Sequence, residues 1–205
     1  MAKLKLTKGE LKKQRDGLRR FLRYLPILQL KKQQLQMEIL LQSGRLEQRK
    51  REVQTKRHEV EAWAGLFTDP GVKVKELIRP KETIVSAKNV AGVDLPIFER
   101  VEFEIAEYDL FITPLWVDAA IEALKILIAL REELKILEKG IAILRQELRI
   151  TTQRVNLFEK VKIPEAEDNI RVIKVYLGDQ MANAVGRSKI AKKKIERLEL
   201  EEAHA

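Results

Sequence analysis

The sequence predicts a mainly α protein, a long antiparallel two-helix coiled coil with a small β-hairpin head. Three observations lead to this prediction. Only 9 Gly and 6 Pro occur among 205 residues, so few residues break helices. Apolar residues recur at seven-residue spacing over most of the chain, which is typical of helices that pack side by side. Between the two heptad regions, the pattern changes to an alternation of apolar and polar residues, which is typical of strands.

The first element, residues 1–67, is predicted to be one coiled-coil helix. Thr7 and Glu10 fit a capping box, which predicts that the helix begins near Lys8. Pro26 lies inside the pattern and predicts a kink or a short 3₁₀ turn, because proline lacks the N–H that a helix interior uses. The heptad row consists of Leu4, Leu11, Leu18, Leu25, Ile39, Leu46, Val53, Val60 and Phe67.

The second element, residues 68–113, is predicted to be the head. It opens with the turn signal Thr-Asp-Pro-Gly at residues 68–71, which ends the first helix. Apolar and polar residues then alternate on both sides of Gly92, and this predicts a β-hairpin at about residues 82–105. Pro96 has no N–H to donate to a neighbour, so its strand is expected at a sheet edge.

The third element, residues 114–205, is predicted to be the second coiled-coil helix. Thr113 and Pro114 provide an N-cap and a proline at the first helical position. After Pro164 the apolar series continues with a phase slip, and the helix is expected to extend several turns beyond its partner. The paired apolar positions are Leu127 with Leu130, Leu134 with Leu137, Ile141 with Leu144, Leu148 with Thr151 and Val155 with Phe158.

Positive charge is concentrated near the two chain ends. The net charge is +9, with nine basic and two acidic residues at positions 1–23 and six basic and one acidic at positions 187–197. Folding two helices back on each other is expected to bring both basic runs to the same end. These runs have two interpretations, a solvated surface or a surface that binds an acidic partner.

The sequence offers little for chemistry, so no catalytic, cofactor-binding or metal-binding residues are expected. There is no Cys, the two histidines, His58 and His204, are far apart, and no HExxH or phosphate-binding glycine motif occurs. The absence of Cys is typical of a reducing compartment such as the cytoplasm. No apolar run is long enough to span a bilayer, so membrane association is expected to go through partners.

Two segments resemble the D subunit of the V/A-type (vacuolar/archaeal-type) ATPases. The first is Asn-Val-Ala-Gly-Val-Asp-Leu-Pro-Ile-Phe-Glu at residues 89–99, which is similar to the hairpin of that family. The second comprises Arg154, Val155, Asn156, Phe158, Glu159, Ile163, Pro164, Glu167, Ile170 and Ile173, and is similar to its C-terminal helix. The sequence departs from the family at Gln33 and Gln34 and after Leu177.

The resemblance implies a central rotor stalk that performs no bond chemistry. It transmits torque between the ring of catalytic A and B subunits and the ion-translocating ring in the membrane, and it seats on the funnel subunit that lies above that membrane ring. The implied contacts with the catalytic ring are Arg187, Lys189, Lys192, Lys193, Lys194 and Arg197. The implied contacts with the small F subunit of the stalk are Asn89, Val90, Ala91, Gly92, Val93, Leu95 and Pro96. Neither nucleic acid nor direct membrane insertion is expected under this interpretation.

Two other functions account for part of the pattern. A basic coiled-coil arm that binds nucleic acid would explain the charged ends through phosphate contacts, although no aromatic residues are interleaved there for stacking on bases. A prefoldin-like chaperone also joins long helices through β-hairpins, but it does not need a helix of about 90 residues.

Overall fold

The computed structural model describes residues 4–61, 65, 77–106, 113–114 and 116–202, and the side chains only as far as residue 197. In chain order the elements are α1 (Lys8–Glu61), β1 (Ile78–Val90), β2 (Val93–Ile105), α2 (Trp116–Leu157), a π-helical turn (Phe158–Lys162) and α3 (Ile163–Glu202). The chain divides into a terminal unit, residues 1–30 with 152–205, and a central unit, residues 31–151. The predicted end of the first helix at residue 67 and the turn at residues 68–71 lie outside the described residues.

Helix α1 begins where the capping box predicts. The Thr7 hydroxyl accepts a hydrogen bond from the Glu10 backbone N–H at 3.2 Å, and Lys8 is the first helical residue. The helix stays α-helical through Pro26, so the alternative of a 3₁₀ turn was wrong. Pro26 and Leu22 are both exposed. The Leu22 carbonyl, which loses its helical partner at Pro26, can therefore be hydrated.

The two strands form a two-stranded antiparallel sheet in the central unit. The hairpin begins at Ile78, four residues earlier than predicted, and its register has an extra residue at Lys81 in β1 and at Glu99 in β2. Pro96 pairs with Ala87. Each strand of a two-stranded sheet is an edge, so the expected edge position of Pro96 is confirmed.

The hairpin packs along the helices of the central unit at both of its ends. At its base, Ile78 lies in a buried cluster with Val117, Ala120 and Ile121 of α2. Near its turn, Leu95 is 4% exposed in a second cluster with Leu35 of α1 and Leu144 of α2, both fully buried. The two clusters are about 24 residues apart along α2, or about 36 Å, and twelve strand residues span a similar distance. The hairpin, residues 78–105, therefore lies along the helix pair of the central unit.

The two helices of the central unit are antiparallel. Lys31 of α1 binds Glu147 of α2 at 2.9 Å, and Arg49, further along α1, binds Glu133, earlier in α2, at 3.0 Å. The predicted seam is confirmed on α2 by burial of Ile141, Leu144 and Thr151, and Leu35 is the buried residue on α1.

In the terminal unit, the phase slip near Pro164 has a structural cause. The π-helical turn immediately precedes it, and the Ile163 N–H bonds to the Phe158 carbonyl five residues earlier. In this wider turn, the carbonyl oxygen with which the Pro164 ring would clash in an α-helix is displaced from the ring. Val155 and Ala166 are buried residues on either side of the π-helical turn, and they lie 11 residues apart. Three turns over 11 residues correspond to about 3.67 residues per turn.

The seam of the terminal unit ends near Leu177. The rings of Phe21 and Phe158 are 5.2 Å apart, and Ala166, Ile170 and Ile173 are buried beyond them. Because the pair is antiparallel, residues before Phe21 on α1 lie opposite residues after Phe158 on the other helix. The start of α1 therefore lies opposite about residue 171. Residues 178–197 are all exposed, as expected for a helix that continues past its partner. The mainly α coiled-coil fold with a small β-hairpin is thus confirmed.

Candidate functional site

The hairpin turn has a defined two-residue geometry. Ala91 and Gly92 have φ angles of 52° and 76°, and the paired residues Val90 and Val93 close the loop. Two consecutive positive φ angles are typical of a type I′ turn, which matches the twist of the flanking strands. The Asn89 side chain supports this turn, because its oxygen accepts from the Gly92 N–H at 3.1 Å and its nitrogen donates to Asp94 at 2.7 Å.

The predicted hairpin site is divided between exposed and packed residues. The structure brings its seven members, Asn89, Val90, Ala91, Gly92, Val93, Leu95 and Pro96, together at the turn end of the hairpin. Leu95 is buried, and Val90, Ala91 and Val93 pack against the cluster around it. Asn89 and Gly92 are exposed. A partner that approaches this end therefore meets mainly polar backbone at the turn, while the apolar side chains face the helices.

The predicted basic site lies on the exposed part of α3. All six members, Arg187, Lys189, Lys192, Lys193, Lys194 and Arg197, are exposed. At about 100° per residue they are spread over about 220° of the helix circumference. Counting from the ring contact at Phe21, the start of α1 lies opposite about residue 171, so the second basic run lies about 16 residues, or about 24 Å, further along α3. The two basic runs therefore lie toward the same end of the terminal unit and follow one another along its length.

Large apolar side chains accompany these charges. Met181, Val185, Ile190 and Ile195 are each between 56% and 61% exposed. Met181 and Ile190 are nine residues apart, which places them on opposite sides of the helix. A surface that is apolar on more than one side needs cover on more than one side, unlike the single stripe of a two-helix seam.

An ion-pair network joins the helices of the central unit. Arg49 binds both Glu52 on its own helix and Glu133 on α2. The hydrogen bond to Glu52 raises the pKa of the Arg49 guanidinium, with the charge of Glu133 adding to it and burial opposing it. The same hydrogen bond lowers the pKa of Glu52. These shifts stabilise the charged forms and indicate a structural role for the network.

The described residues contain no cluster of three or more His, Asp or Glu side chains that could hold a metal ion. Within the same part of the chain, no helix has the length and apolar character of a membrane span.

Sequence reasoning missed a cleft in the central unit. It has a volume of about 370 Å³ and lies between the hairpin and the two helices. Val90, Leu95 and Pro96 of the predicted hairpin site line it, together with Arg45 and Gly140, which were not predicted. A glycine in the middle of a helix otherwise rich in Leu, Lys and Glu was the one signal in the sequence that pointed to Gly140.

Comparison with known proteins agrees with the fold and with the hairpin motif. A sequence model of the ATP synthase D-subunit family matches residues 10–193. The V-type ATP synthase D subunit of Borreliella burgdorferi is 50% identical over 192 residues, covering 94% of this chain and 95% of that protein. The proteins of the same name from Chlamydia pneumoniae and Chlamydia muridarum are 34% and 32% identical, over 94% and 95% of this chain and 93% and 97% of theirs. This chain therefore belongs to the D-subunit family of ATP synthases.

Proposed function

We propose that this chain is the central rotor stalk of a V/A-type ATP synthase or ATPase. In this role it transmits torque between the ring of catalytic A and B subunits and the ion-translocating ring in the membrane. It performs no bond chemistry, lies on the cytoplasmic side as a peripheral part of the complex, and seats on the funnel subunit that lies above the membrane ring. Family membership supports the assignment to the complex, and the geometry of α3 supports the mechanical role.

The observation that carries the proposal is that every residue from 178 to 197 on α3 is exposed. This segment has basic and apolar side chains around its circumference, which fits insertion into a ring better than contact with one neighbouring helix. Its six basic residues are complementary to acidic loops on the inside of such a ring. An off-axis helix that turns inside the ring would make different contacts with each of the catalytic subunits at each angle, and differential contact shifts open and closed populations.

The second proposed contact is that of the hairpin with the F subunit. The turn residues Asn89 and Gly92 are exposed and rigidly held, so they can present backbone groups to a partner. Deletion of residues 89–94 is expected to weaken the binding of the F subunit in a pull-down. Unchanged binding would remove the hairpin from this interface.

Charge reversal on α3 tests the mechanical role. Replacing Lys192, Lys193 and Lys194 with Glu in the assembled complex is expected to lower ion transport per ATP several-fold, because the shaft would be repelled by the acidic ring loops. The F subunit should still bind the variant. Full coupling between hydrolysis and transport in this variant would contradict the proposed ring contacts.

The family match does not favour the nucleic-acid alternative. The basic residues of α3 are spread over about 220° of the helix circumference, which is wider than the single face that a groove-binding arm needs for its phosphate contacts.

A further inference from the structure

The cleft of about 370 Å³ in the central unit has the size of a binding pocket and walls from three elements. Phe98 of β2 and Leu137 of α2 provide an apolar surface, while Arg45 of α1 and Lys88 of β1 bring two cations to the same cleft. Both cations are exposed. The cleft therefore combines apolar contact with positive charge.

The two cations are available to an outside ligand. Among the described residues, neither Arg45 nor Lys88 forms a salt bridge, whereas Arg49 in the same cleft is held by Glu52 and Glu133. Two unpaired cations over an apolar wall are complementary to a carboxylate that is attached to an apolar segment.

Gly140 adds an independent observation. It is buried inside α2, yet a Cβ at this position would meet no atom within 4 Å. Glycine in a helix interior is destabilising relative to alanine, and crowding within the described part of the chain does not explain it. The open space beside Gly140 is part of the cleft, so the glycine leaves room for an occupant.

We propose that this cleft receives an acidic and apolar segment of the partner that binds the hairpin. One carboxylate of that segment lies between Arg45 and Lys88, and its apolar side chains pack on Phe98 and Leu137. The inference rests on the proposed function, in which that partner is the F subunit. The main contact is then the cleft beneath the strands and not the hairpin turn, because the apolar side chains at the turn already pack on the helices.

A filled cleft tests the proposal without removing any contact of the fold. The F subunit, purified from the same organism, is titrated against the full chain, and Gly140→Leu is expected to raise the Kd at least 10-fold. Gly44→Leu is the matched control, because Gly44 also lies within a helix, also has no atom within 4 Å of an added Cβ, and is outside this cleft. Its Kd should equal that of the unmodified chain.

A charge pair gives a second test that does not depend on how Gly140→Leu folds. Arg45→Glu combined with Lys88→Glu should raise the Kd at least 10-fold and flatten its dependence on salt. The matched control is Arg51→Glu combined with Lys81→Glu, which makes the same charge change at exposed helix and hairpin positions outside the cleft.

The possible outcomes distinguish a failure of the cleft proposal from a failure of the proposed function. Weaker binding in the cleft variants, with both controls unchanged, supports the cleft as the site. If the F subunit binds the unmodified chain and all four variants equally, the cleft proposal is overturned while the proposed function stands. If the unmodified chain itself shows no binding, the assignment of the F subunit to this partner role fails.

Discussion

At the residue scale, Ala91 is strained by the turn that it forms. Its φ of 52° lies in the left-handed region, where a residue with a Cβ is unfavourable. Ala91→Gly is expected to raise the free energy of unfolding by about 0.5 kcal/mol, because about 1 kcal/mol of relieved strain is partly offset by the lost methyl contact. Denaturant titration measures this change.

The reverse change at the neighbouring residue is the control. Gly92→Ala introduces a side chain at a φ of 76° and should lower stability by about 1 kcal/mol. Equal stability of the two variants would contradict the type I′ assignment.

The Arg49 network predicts a pH dependence. Glu52 has a lowered pKa in the folded state, so its contribution is present above its ordinary pKa and is lost as the pH falls through the folded value. Arg49→Gln should therefore lower the Tm at pH 7 and have less effect at an acid pH below the lowered pKa of Glu52. A Tm difference that stays constant between these pH values would show that the network does not act through charge.

At the element scale, the amount that the sequence could predict differs between segments. The start of α1 was predictable because Thr7 and Glu10 form a local motif that does not depend on the rest of the fold. The phase slip at Pro164 was also predictable in position. Its cause, the π-helical turn, was not, because a one-residue change in winding leaves no distinct composition.

Helix α3 beyond Leu177 is predicted to contribute almost nothing to folding. None of the side chains at positions 178–197 is buried, so truncation after Leu177 should change the Tm by less than about 2 °C, since no buried apolar side chain is lost at those positions. Ile173→Ala is the contrasting variant, because Ile173 is fully buried and its truncation should cost about 2–4 kcal/mol. A large loss of stability on truncation would show that this segment packs within the chain.

At the scale of the whole molecule, heptads and one alternating segment were sufficient to predict the fold class, and the motifs in the hairpin and in the C-terminal helix were sufficient to predict the family. The path of the hairpin along the helices was not predictable, because Leu95 looks like any apolar strand residue until its contact with Leu35 and Leu144 is seen. The cleft was missed for the same reason, since its walls come from three segments that are distant in sequence. Local patterns in a single sequence do not show which distant segments come together in the fold.

The central claim is that the exposed part of α3 turns inside the catalytic ring. The chain has no Cys, so Val185→Cys, 56% exposed at the native valine, can carry a single photo-crosslinker through the assembled complex. We expect illumination to join this chain to one of the catalytic A or B subunits and to stop ATP hydrolysis, because a fixed shaft cannot turn. The same label at Glu99→Cys on the hairpin should give no adduct with the catalytic ring. No adduct at Val185→Cys, or hydrolysis at full rate in the crosslinked complexes, would contradict the account.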